Sequence, residues 1–591
     1  MGADRSRPQT VSRTACVLAA IAFVLGLLHL GVRICEVQVK EAAAYGYASA
    51  RQSIRRVQVG GRRGRILDRA GNVLADSRTS LSIVCHPAAF QKRTWEGTVD
   101  VIGQAISNAA DVIGCPSSLD RRTIWRHVNQ TLAMPLCVWR DVGERELARF
   151  SEHAEELPGF SIRETDERVY PQGRLAAHLL GYVGRDRGVE VAGDERYNFF
   201  SLELRGRSGV EHYYDSFLRG VSGERRVLVD ARGFAIREWT TVEPTRGPDL
   251  RLTLDVSTQR TAEQQLLGLK GACVVLDPRT GDILAMASAP DFDPNEFVPV
   301  LTKALYERYA SDPRKPLLNR ASGGTYAPGS TFKPVVALAG LNLGFPATAD
   351  YPCTGFFPLG QMRIRCASLW GHGPIDLCHA LMKSCNPYFC NLGIDIGTNA
   401  VLTAARAFGL GERTGLDFGV DRAGTVPEAS WKERTYGEKW FQGDLAQMSI
   451  GQGMLLVSPL QMALVAGAIG TGYRVTPHVR AGMEPSRQPL PFSREHLDVV
   501  REGMRMVVAG DGTSRGTGWR GGDGVSVPVS GKTGTAEVGR GSTRRKNTWF
   551  IAFAPSENPT VAVSMIVENG DSGGGTAAPK VAAILRSLFN R

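Results

Sequence analysis

The residue pair most able to do chemistry in this sequence is Ser330 and Lys333, which form its single Ser-x-x-Lys. Pro328 and Gly329 precede the serine and predict a tight turn into a helix, on which residues three apart share one face. A serine hydroxyl is a weak nucleophile until a base removes its proton. Lys333 could be that base if burial or a nearby cation lowered its pKa from ~10.4 toward ~7. Taken alone, the pair is more typical of a solvated helix face.

Two further motifs supply the other groups that a serine acyl transfer needs. Ser384-Cys385-Asn386 lies 54 residues downstream and offers a second hydroxyl as a proton relay and an amide to hold a substrate carbonyl. Lys532-Thr533-Gly534-Thr535 follows the alternating run 525–531, which predicts a strand. Such a strand could pair with an extended peptide, and its glycine would leave room for that peptide. Its lysine adds a cation that could lower the pKa of Lys333 and attract a carboxylate.

The second half of the chain contains the elements that must position these motifs. The predicted strands cover 272–277, 283–287, 547–555 and 560–567, and the flanking helices cover 258–267 and 577–589. A turn joins the first two strands as antiparallel partners. Strands at both ends, with mainly helical sequence between them, predict one antiparallel sheet covered by helices from residue 251 to residue 591.

The composition is that of a globular protein. The chain has 591 residues, of which 43% are hydrophobic and 22% are charged, so wholesale disorder, collagen and coiled-coil structures are excluded. The net charge of +11 permits an anionic partner such as nucleic acid, phospholipid or an acidic cell-wall polymer. Charge alone does not choose among them.

An apolar segment near the N-terminus predicts a membrane anchor. The segment from Ala15 to Val32 has 18 residues with His29 as its strongly polar member, which is about 27 Å of helix. Arginines dominate before this segment and charges balance after it, so the N-terminus is expected in the cytoplasm and the rest outside. A cleaved signal peptide and a buried core helix are the alternatives. The Ala-x-Ala site at 48–50 lies far from the apolar run, which favours a retained single span.

The remaining N-terminal half predicts a loop-rich α+β domain. Between 60 and 250, short alternating strands are interrupted by glycines, as in 64–72 and 226–230. The basic stretch 51–69 could bind nucleic acid, but an exported segment would rarely meet it, so we expect a solvated or lipid-proximal stem. The fold class is therefore α+β, divided into a tail at 1–14, a transmembrane helix at 15–33, and domains at 34–250 and 251–591.

Five of the eleven cysteines lie within 38 residues, at 353, 366, 378, 385 and 390. Zinc prefers four soft or borderline ligands in a tetrahedron, and His372 adds an imidazole to this segment. A disulfide, plausible outside the membrane, and buried thiols are the alternatives. Cys378 and Cys390 are expected in the core.

The three motifs together resemble the signature of the penicillin-recognising serine acyltransferases, and the resemblance extends over nearly the whole chain. Segments 63–71, 170–171, 178–184, 209–214 and 218–220 look like the pedestal of class B penicillin-binding proteins. Segments 319–321, 370–373, 440–444 and 450–453 look like penicillin-binding protein 2, the elongation-specific group, rather than the septal group. Some members of that group have a metal site whose spacing matches Cys353, Cys366, His372 and Cys385, although their first two ligands can be Asp.

The resemblance implies a bacterial inner-membrane D,D-transpeptidase that cross-links peptidoglycan stem peptides beside a SEDS-type glycosyltransferase of the elongation machinery. Ser330 would attack the penultimate D-Ala carbonyl, with the N–H groups of Ser330 and Thr535 as the oxyanion hole. Lys333 would take the serine proton, and Ser384 would relay a proton to the leaving D-Ala. Asn386 would orient the donor amide, while Lys532, Thr533 and Thr535 would bind the terminal carboxylate. A β-lactam would be trapped at the nucleophile.

Three alternatives remain at this point, which are a septal transpeptidase, a non-catalytic β-lactam sensor and a catalytically idle scaffold. A sensor would need a cytoplasmic output domain or several spans, whereas 14 residues precede one span. Fast hydrolysis would need a base such as the Glu of class A β-lactamases, and the sequence has no Glu-x-x-x-Asn between 384 and 532. Transfer to an amine is therefore favoured over hydrolysis. No catalytic cofactor is expected, and a structural zinc ion is.

Overall fold

A computed structural model describes residues 12–42, 53–185, 199–200, 204–298, 301–360, 362–539 and 544–590. The predicted N-terminal charge bias depends on Arg5 and Arg7, which lie outside these ranges, as does the Ala-x-Ala site at 48–50.

The first helix, α1, spans Arg13–Cys35 and continues as a π-helical turn over Glu36–Lys40. It exposes all of its side chains, and its mean hydropathy reaches 2.5 over an 18-residue window. Among the described residues it is the single helix long and apolar enough to cross a membrane. Its 23 residues rise ~1.5 Å each along the helix axis, and the helix extends two residues beyond the predicted span 15–33 at each end. This geometry is that of a single-pass membrane anchor.

In its described residues the N-terminal domain contains two larger sheets, and a third of two strands in which 183–185 pair with 204–206. The first has the strand order β10-β9-β1-β7, and the second has the order β11-β2-β3-β4 with β5 also paired to β3. The strands are β1 Ile54–Val59, β2 Ile66–Leu67, β3 Val73–Cys85, β4 Leu136–Trp139, β5 Phe160–Val169, β6 Val183–Arg185, β7 Phe199–Phe200, β8 Leu204–Gly206, β9 Gly223–Val229, β10 Ala235–Val242 and β11 Leu250–Arg251. Because β11 pairs with β2 in parallel, the chain enters the catalytic domain from a strand of this domain.

The C-terminal domain is built on an antiparallel five-stranded sheet in the order β13-β12-β22-β21-β20. These strands are Ile283–Ala289, Gly271–Leu276, Val561–Glu568, Arg545–Ala554 and Ser530–Val538. Smaller two-stranded sheets pair β14 Tyr351–Cys353 with β17 Gly373–Ile375, β15 Phe356–Leu359 with β16 Met362–Arg365, and β18 Tyr473–Val475 with β19 Arg487–Pro489. The predicted antiparallel sheet is confirmed, but the strand predicted over 525–531 begins later than expected. Residues 525–529 precede the strand, which begins at Ser530.

Helices cover both faces of the central sheet. The helices after α1 are α2 Trp95–Ile113, α3 Arg121–Gln130, α4 Glu144–Glu152, α5 Ala177–Leu180, α6 Gly209–Tyr213, α7 Asp215–Leu218, α8 Val256–Leu266, α9 Lys303–Ala310, α10 Lys333–Asn342, α11 Leu377–Met382, α12 Asn386–Ala407, α13 Ala429–Tyr436, α14 Gln442–Ser449, α15 Pro459–Thr471, α16 Arg494–Ala509 and α17 Ala578–Phe589. One apolar cluster joins a face of the sheet to α8 and α17, and a larger one joins the other face to α10, α12 and α15. The larger cluster surrounds the base of the predicted active site.

Candidate active site

The nucleophile turn is a 3-10 turn, Gly329–Phe332, that leads directly into α10. Ser330 is half-buried on this turn, while Lys333 is fully buried one turn later. Gly329 has φ +56°, and a Cβ there would lie 3.0 Å from the backbone oxygen of Thr535. Glycine is therefore required, because the turn packs directly against β20 in a left-handed conformation.

The ammonium of Lys333 binds the second motif. Its Nζ donates to the Ser384 carbonyl at 2.7 Å and to Asn386 Oδ1 at 2.7 Å, and it lies 3.4 Å from Ser384 Oγ. Burial lowers the pKa of Lys333 from 10.5 to about 8, because the charged form is poorly solvated there. About 10% of this amine is thus neutral at pH 7 and able to accept a proton.

Ser384 is shared by two lysines. Lys532 Nζ donates to Ser384 Oγ at 3.0 Å and to the carbonyl of Thr533 at 3.1 Å. Burial, and then the neighbouring Lys333 cation, hold the pKa of Lys532 well below its ordinary value. For Lys333 itself, burial is the leading cause of the lowered pKa. Because the Ser384 hydroxyl contacts both amines, it joins Lys333 and Lys532 in one path for proton transfer.

Strand β20 is at the edge of the sheet and carries the third motif. Thr533 and Thr535 share one face by their i, i+2 spacing. Thr533 Oγ1 donates to Thr517 Oγ1 at 2.9 Å, and Thr535 Oγ1 accepts the N–H of Gly573 at 3.2 Å. Lys532 lies on the opposite face and is fully buried.

Gly534 has a different structural reason from the one the sequence suggested. A Cβ at this position would lie 2.8 Å from the carbonyl oxygen of Pro328 and 2.9 Å from the Thr331 methyl. The room left by this glycine is therefore taken by the nucleophile turn, rather than by a bound peptide.

Sequence reasoning did not give a positioning role to two neighbours of the turn. The carbonyl of Gly451 accepts the N–H of Gly329 at 2.7 Å, and the indole N–H of Trp549 donates to the Ala327 carbonyl at 3.0 Å. Trp549 is paired with Gly534 in the sheet register. In the sequence, the Gly-Gln-Gly segment 451–453 resembled the family but indicated no function in the site. For Trp549, the signal is its pairing with Gly534 in the sheet register.

The four predicted metal ligands form one cluster beside the catalytic turn. The donor atoms of Cys353, Cys366, His372 and Cys385 all lie within 4.8 Å of one another, and Cys366 Sγ is 3.6 Å from His372 Nδ1. In a tetrahedral zinc site with Zn–S of ~2.3 Å, donor atoms are about 3.5–3.8 Å apart, so this set fits the ion.

The other cysteines support that selection. All eleven cysteines are free thiols, Cys390 is buried in the core, and Cys378 donates to a backbone carbonyl of α16 instead of joining the cluster. Hydrogen bonds from Cys385 and then His372 lower the pKa of Cys366. The same hydrogen bond between Cys366 and Cys385 raises the pKa of Cys385, so it favours a thiolate at Cys366 and not at both positions.

Comparisons with known proteins agree with the architecture. Residues 271–586 match the penicillin-binding protein transpeptidase domain, and residues 58–252 match the penicillin-binding protein dimerisation domain. The peptidoglycan D,D-transpeptidase MrdA of Acinetobacter baumannii is 32% identical over 607 residues, covering 97% of this chain and 87% of that protein.

Two solved structures share the fold. Penicillin-binding protein 2 of Helicobacter pylori, solved in complex with MreC, has a TM-score of 0.77 and 26% identity, covering 91% of this chain and 99% of that one. A chain of a peptidoglycan synthase complex that coordinates polymerisation and crosslinking has a TM-score of 0.72 and 29% identity, covering 97% and 98%. The matches to both family domains, together with 32% identity to MrdA over 97% of this chain, confirm the resemblance drawn from the motifs. The chain therefore belongs to the class B penicillin-binding proteins, in the group of penicillin-binding protein 2 and MrdA.

Proposed function

We propose that this protein is a peptidoglycan D,D-transpeptidase of cell elongation, which cross-links stem peptides through an acyl-enzyme on Ser330. One observation carries the proposal. Lys333, Ser384, Asn386 and Lys532 come from three distant motifs and form one continuous hydrogen-bond network beside the nucleophile turn.

In the acylation step, the neutral amine of Lys333 accepts the hydroxyl proton as Ser330 Oγ bonds to the carbonyl carbon of the penultimate D-Ala. Negative charge develops on the carbonyl oxygen, toward the N–H groups of Ser330 and Thr535. The amide C–N bond then breaks, and its nitrogen receives a proton through Ser384. The free terminal D-Ala leaves, and the acyl chain stays on Ser330 as an ester.

The substrate groups are assigned to the faces of the cleft. Asn386 orients the donor amide, and Thr533 and Thr535 bind the terminal carboxylate from one face of β20. Lys532 is buried on the opposite face, with its amine 3.0 Å from Ser384 Oγ, so we assign it to the relay hydroxyl instead of the terminal carboxylate that the resemblance implied.

Deacylation transfers the acyl group to an amine of a neighbouring stem peptide. The amine nitrogen attacks the ester carbon, its proton passes back to Ser330 Oγ, and the new amide is the cross-link. β-Lactams acylate the same serine, and their acyl-enzyme lacks the acceptor amine that completes the cycle.

The test is covalent labelling with a fluorescent penicillin. The detergent-solubilised protein should be labelled at one site, and Ser330→Ala should remove the label while the thermal unfolding curve stays unchanged. Thr331→Ser at the neighbouring position is a matched control that keeps the nucleophile. Labelling that survives Ser330→Ala would show that the nucleophile is wrong.

The elongation role is tested by depletion in the native cell. Loss of the protein should give round or widened cells with normal septa. Filaments with blocked septa would instead assign it to division, and normal growth with an altered response to β-lactams would favour the sensor alternative.

We also propose a structural Zn²⁺ ion held by Cys353, Cys366, His372 and Cys385. The ion would cross-link three segments of the chain, which are the end of β14, the segment 366–372 and the turn at Cys385, and it would supply no step of the reaction. Protein purified without chelator should contain about one zinc ion per chain, which Cys366→Ser or His372→Ala should remove. Cys378→Ser is the matched control and should retain it. Metal-free protein at full activity, or a Cys353–Cys366 disulfide, would contradict the assignment.

The membrane topology is part of the same proposal. The α1 helix anchors the protein with its N-terminus in the cytoplasm, the domains 34–250 and 251–591 lie outside, and a SEDS-type glycosyltransferase and other elongation proteins are the membrane partners. Added protease should digest the catalytic domain in spheroplasts and spare an epitope fused to the N-terminus. Digestion of the N-terminal epitope instead would reverse the orientation.

A further inference from the structure

Arg320 is a buried cation that the reaction described above does not use. Its side chain is 2% exposed, and it donates from Nε to Glu568 at 3.0 Å and from Nη1 to the Lys315 carbonyl at 3.1 Å. It belongs to the Asn-Arg-Ala segment 319–321, to which the motif chemistry assigns no role. Burying a guanidinium costs free energy unless it is paired, so the buried position of Arg320 depends on the carboxylate that it contacts.

That partner, Glu568, is the last residue of β22 and collects three donors. Its Oε1 accepts from Arg320 Nε and from the Tyr326 hydroxyl at 3.1 Å, and its Oε2 lies 3.1 Å from Lys270 Nζ. Burial works against its charge, but the Arg320 and Lys270 contacts outweigh burial and lower the pKa of Glu568. The carboxylate is therefore ionised and fixed from three sides.

Tyr326 connects this ionic site to the nucleophile turn. Its backbone N–H and C=O exchange hydrogen bonds of 2.9 Å each with Val457, and its ring packs edge-on to Trp549 at 6.1 Å between centroids. The Trp549 indole then holds the carbonyl of Ala327. Three residues separate Tyr326 from Ser330, and two of them, Ala327 and Gly329, are held by hydrogen bonds to Trp549 and Gly451.

We propose that Glu568 is a positioning residue for acylation, which acts through the Tyr326 hydroxyl and is itself held by Arg320. The carboxylate fixes one end of the segment 326–329, while β20 fixes the other end against Gly329. Together these contacts set Ser330 Oγ relative to the N–H of Thr535. This inference rests on the proposed acylation of Ser330 and concerns its rate, rather than its occurrence.

The decisive variant is Tyr326→Phe, which removes the hydroxyl and leaves the Arg320–Glu568–Lys270 ionic site intact. The acylation rate constant at saturating fluorescent penicillin should fall about tenfold, the effect of one net hydrogen bond. The half-saturating concentration should stay within twofold, because no group that binds the penicillin changes. Tyr309→Phe is the matched control, since its hydroxyl donates to Glu296 at 2.7 Å, and its rate should equal the parent rate.

Glu568→Gln tests whether the carboxylate acts through the tyrosine. Its rate should fall by a similar factor, and the double variant Tyr326→Phe/Glu568→Gln should be no slower than the slower single variant. The final amount of label measures the folded fraction, so a loss of amplitude at the parent rate would mean a merely structural role and overturn the proposal. Multiplying effects in the double variant, or a parent rate for Tyr326→Phe, would also overturn it. If Glu568→Gln does not fold, Tyr326→Phe alone decides. Complete loss of labelling in Ser330→Ala with normal rates in these variants would leave the proposed function standing and reject this inference.

Discussion

Acylation should depend on pH through Lys333. The reaction needs the neutral amine, and burial lowers the pKa of Lys333 from 10.5 to about 8. With that pKa, about 10% of the amine is neutral at pH 7 and about 90% at pH 9, whereas an ordinary lysine would be about 0.03% neutral at pH 7. The neutral amine is gained as the pH rises, and the lowered pKa places this gain between pH 7 and pH 9. The rate should therefore increase about tenfold from pH 7 to pH 9.

The assay is stopped-flow acylation by a chromogenic β-lactam from pH 6 to pH 9.5, corrected for hydrolysis of the free compound. Lys333→Arg should remove both the rate and its pH dependence, since a guanidinium does not lose its proton in this range. Lys303→Ala is the control, because its side chain is 89% exposed, and its profile should overlay the parent profile. A flat profile, or a midpoint near that of a solvated lysine, would refute the role of buried Lys333 as the base.

Three further outcomes are expected. Gly534→Ala should lower the acylation rate at least tenfold without unfolding the protein, because the new Cβ would lie 2.8 Å from the Pro328 carbonyl oxygen; labelling rates together with circular dichroism would check this. Glu211→Gln should destabilise the N-terminal domain by about 3 kcal/mol in urea unfolding, because buried Arg168 loses the carboxylate that it contacts and buried Arg63 keeps only Asp215. A chelator should lower both the melting temperature and the acylation rate, and added Zn²⁺ should restore both; melting and labelling unaffected by the chelator would argue against a structural metal.

Local sequence patterns predicted the elements that depend on local physics. The buried run 272–277 became β12 within one residue at each end, since continuous apolar residues between turn residues are buried on both faces. Ser458 caps α15 in a capping box with Gln461, a pattern that a sequence carries locally because both partners lie within one helical turn. The α1 helix likewise followed from composition alone.

Contacts between distant segments were not available from the sequence. The run 525–529 alternates like a strand, but the pairing with β21 begins at Ser530, and tertiary pairing decides where a strand starts. The three donors of Glu568 come from residues about 240 to 300 positions away, so no spacing rule could join them. The motifs gave the residue types of the site, and the sheet register set how Gly534 packs against the nucleophile turn.

Two features that looked separate in the sequence, the catalytic Ser-x-Asn and the cysteine cluster, constrain one turn. Ser384 has φ +55°, a conformation that costs a non-glycine residue about 1–3 kcal/mol unless its surroundings fix it. Lys333 binds its carbonyl from one side, and Asn386 Nδ2 donates to the Arg365 carbonyl at 2.7 Å on the other. Cys385, between them, belongs to the cluster. The hydroxyl of this strained serine is also the one that both lysines contact. Contacts that hold the turn therefore also hold the path for proton transfer.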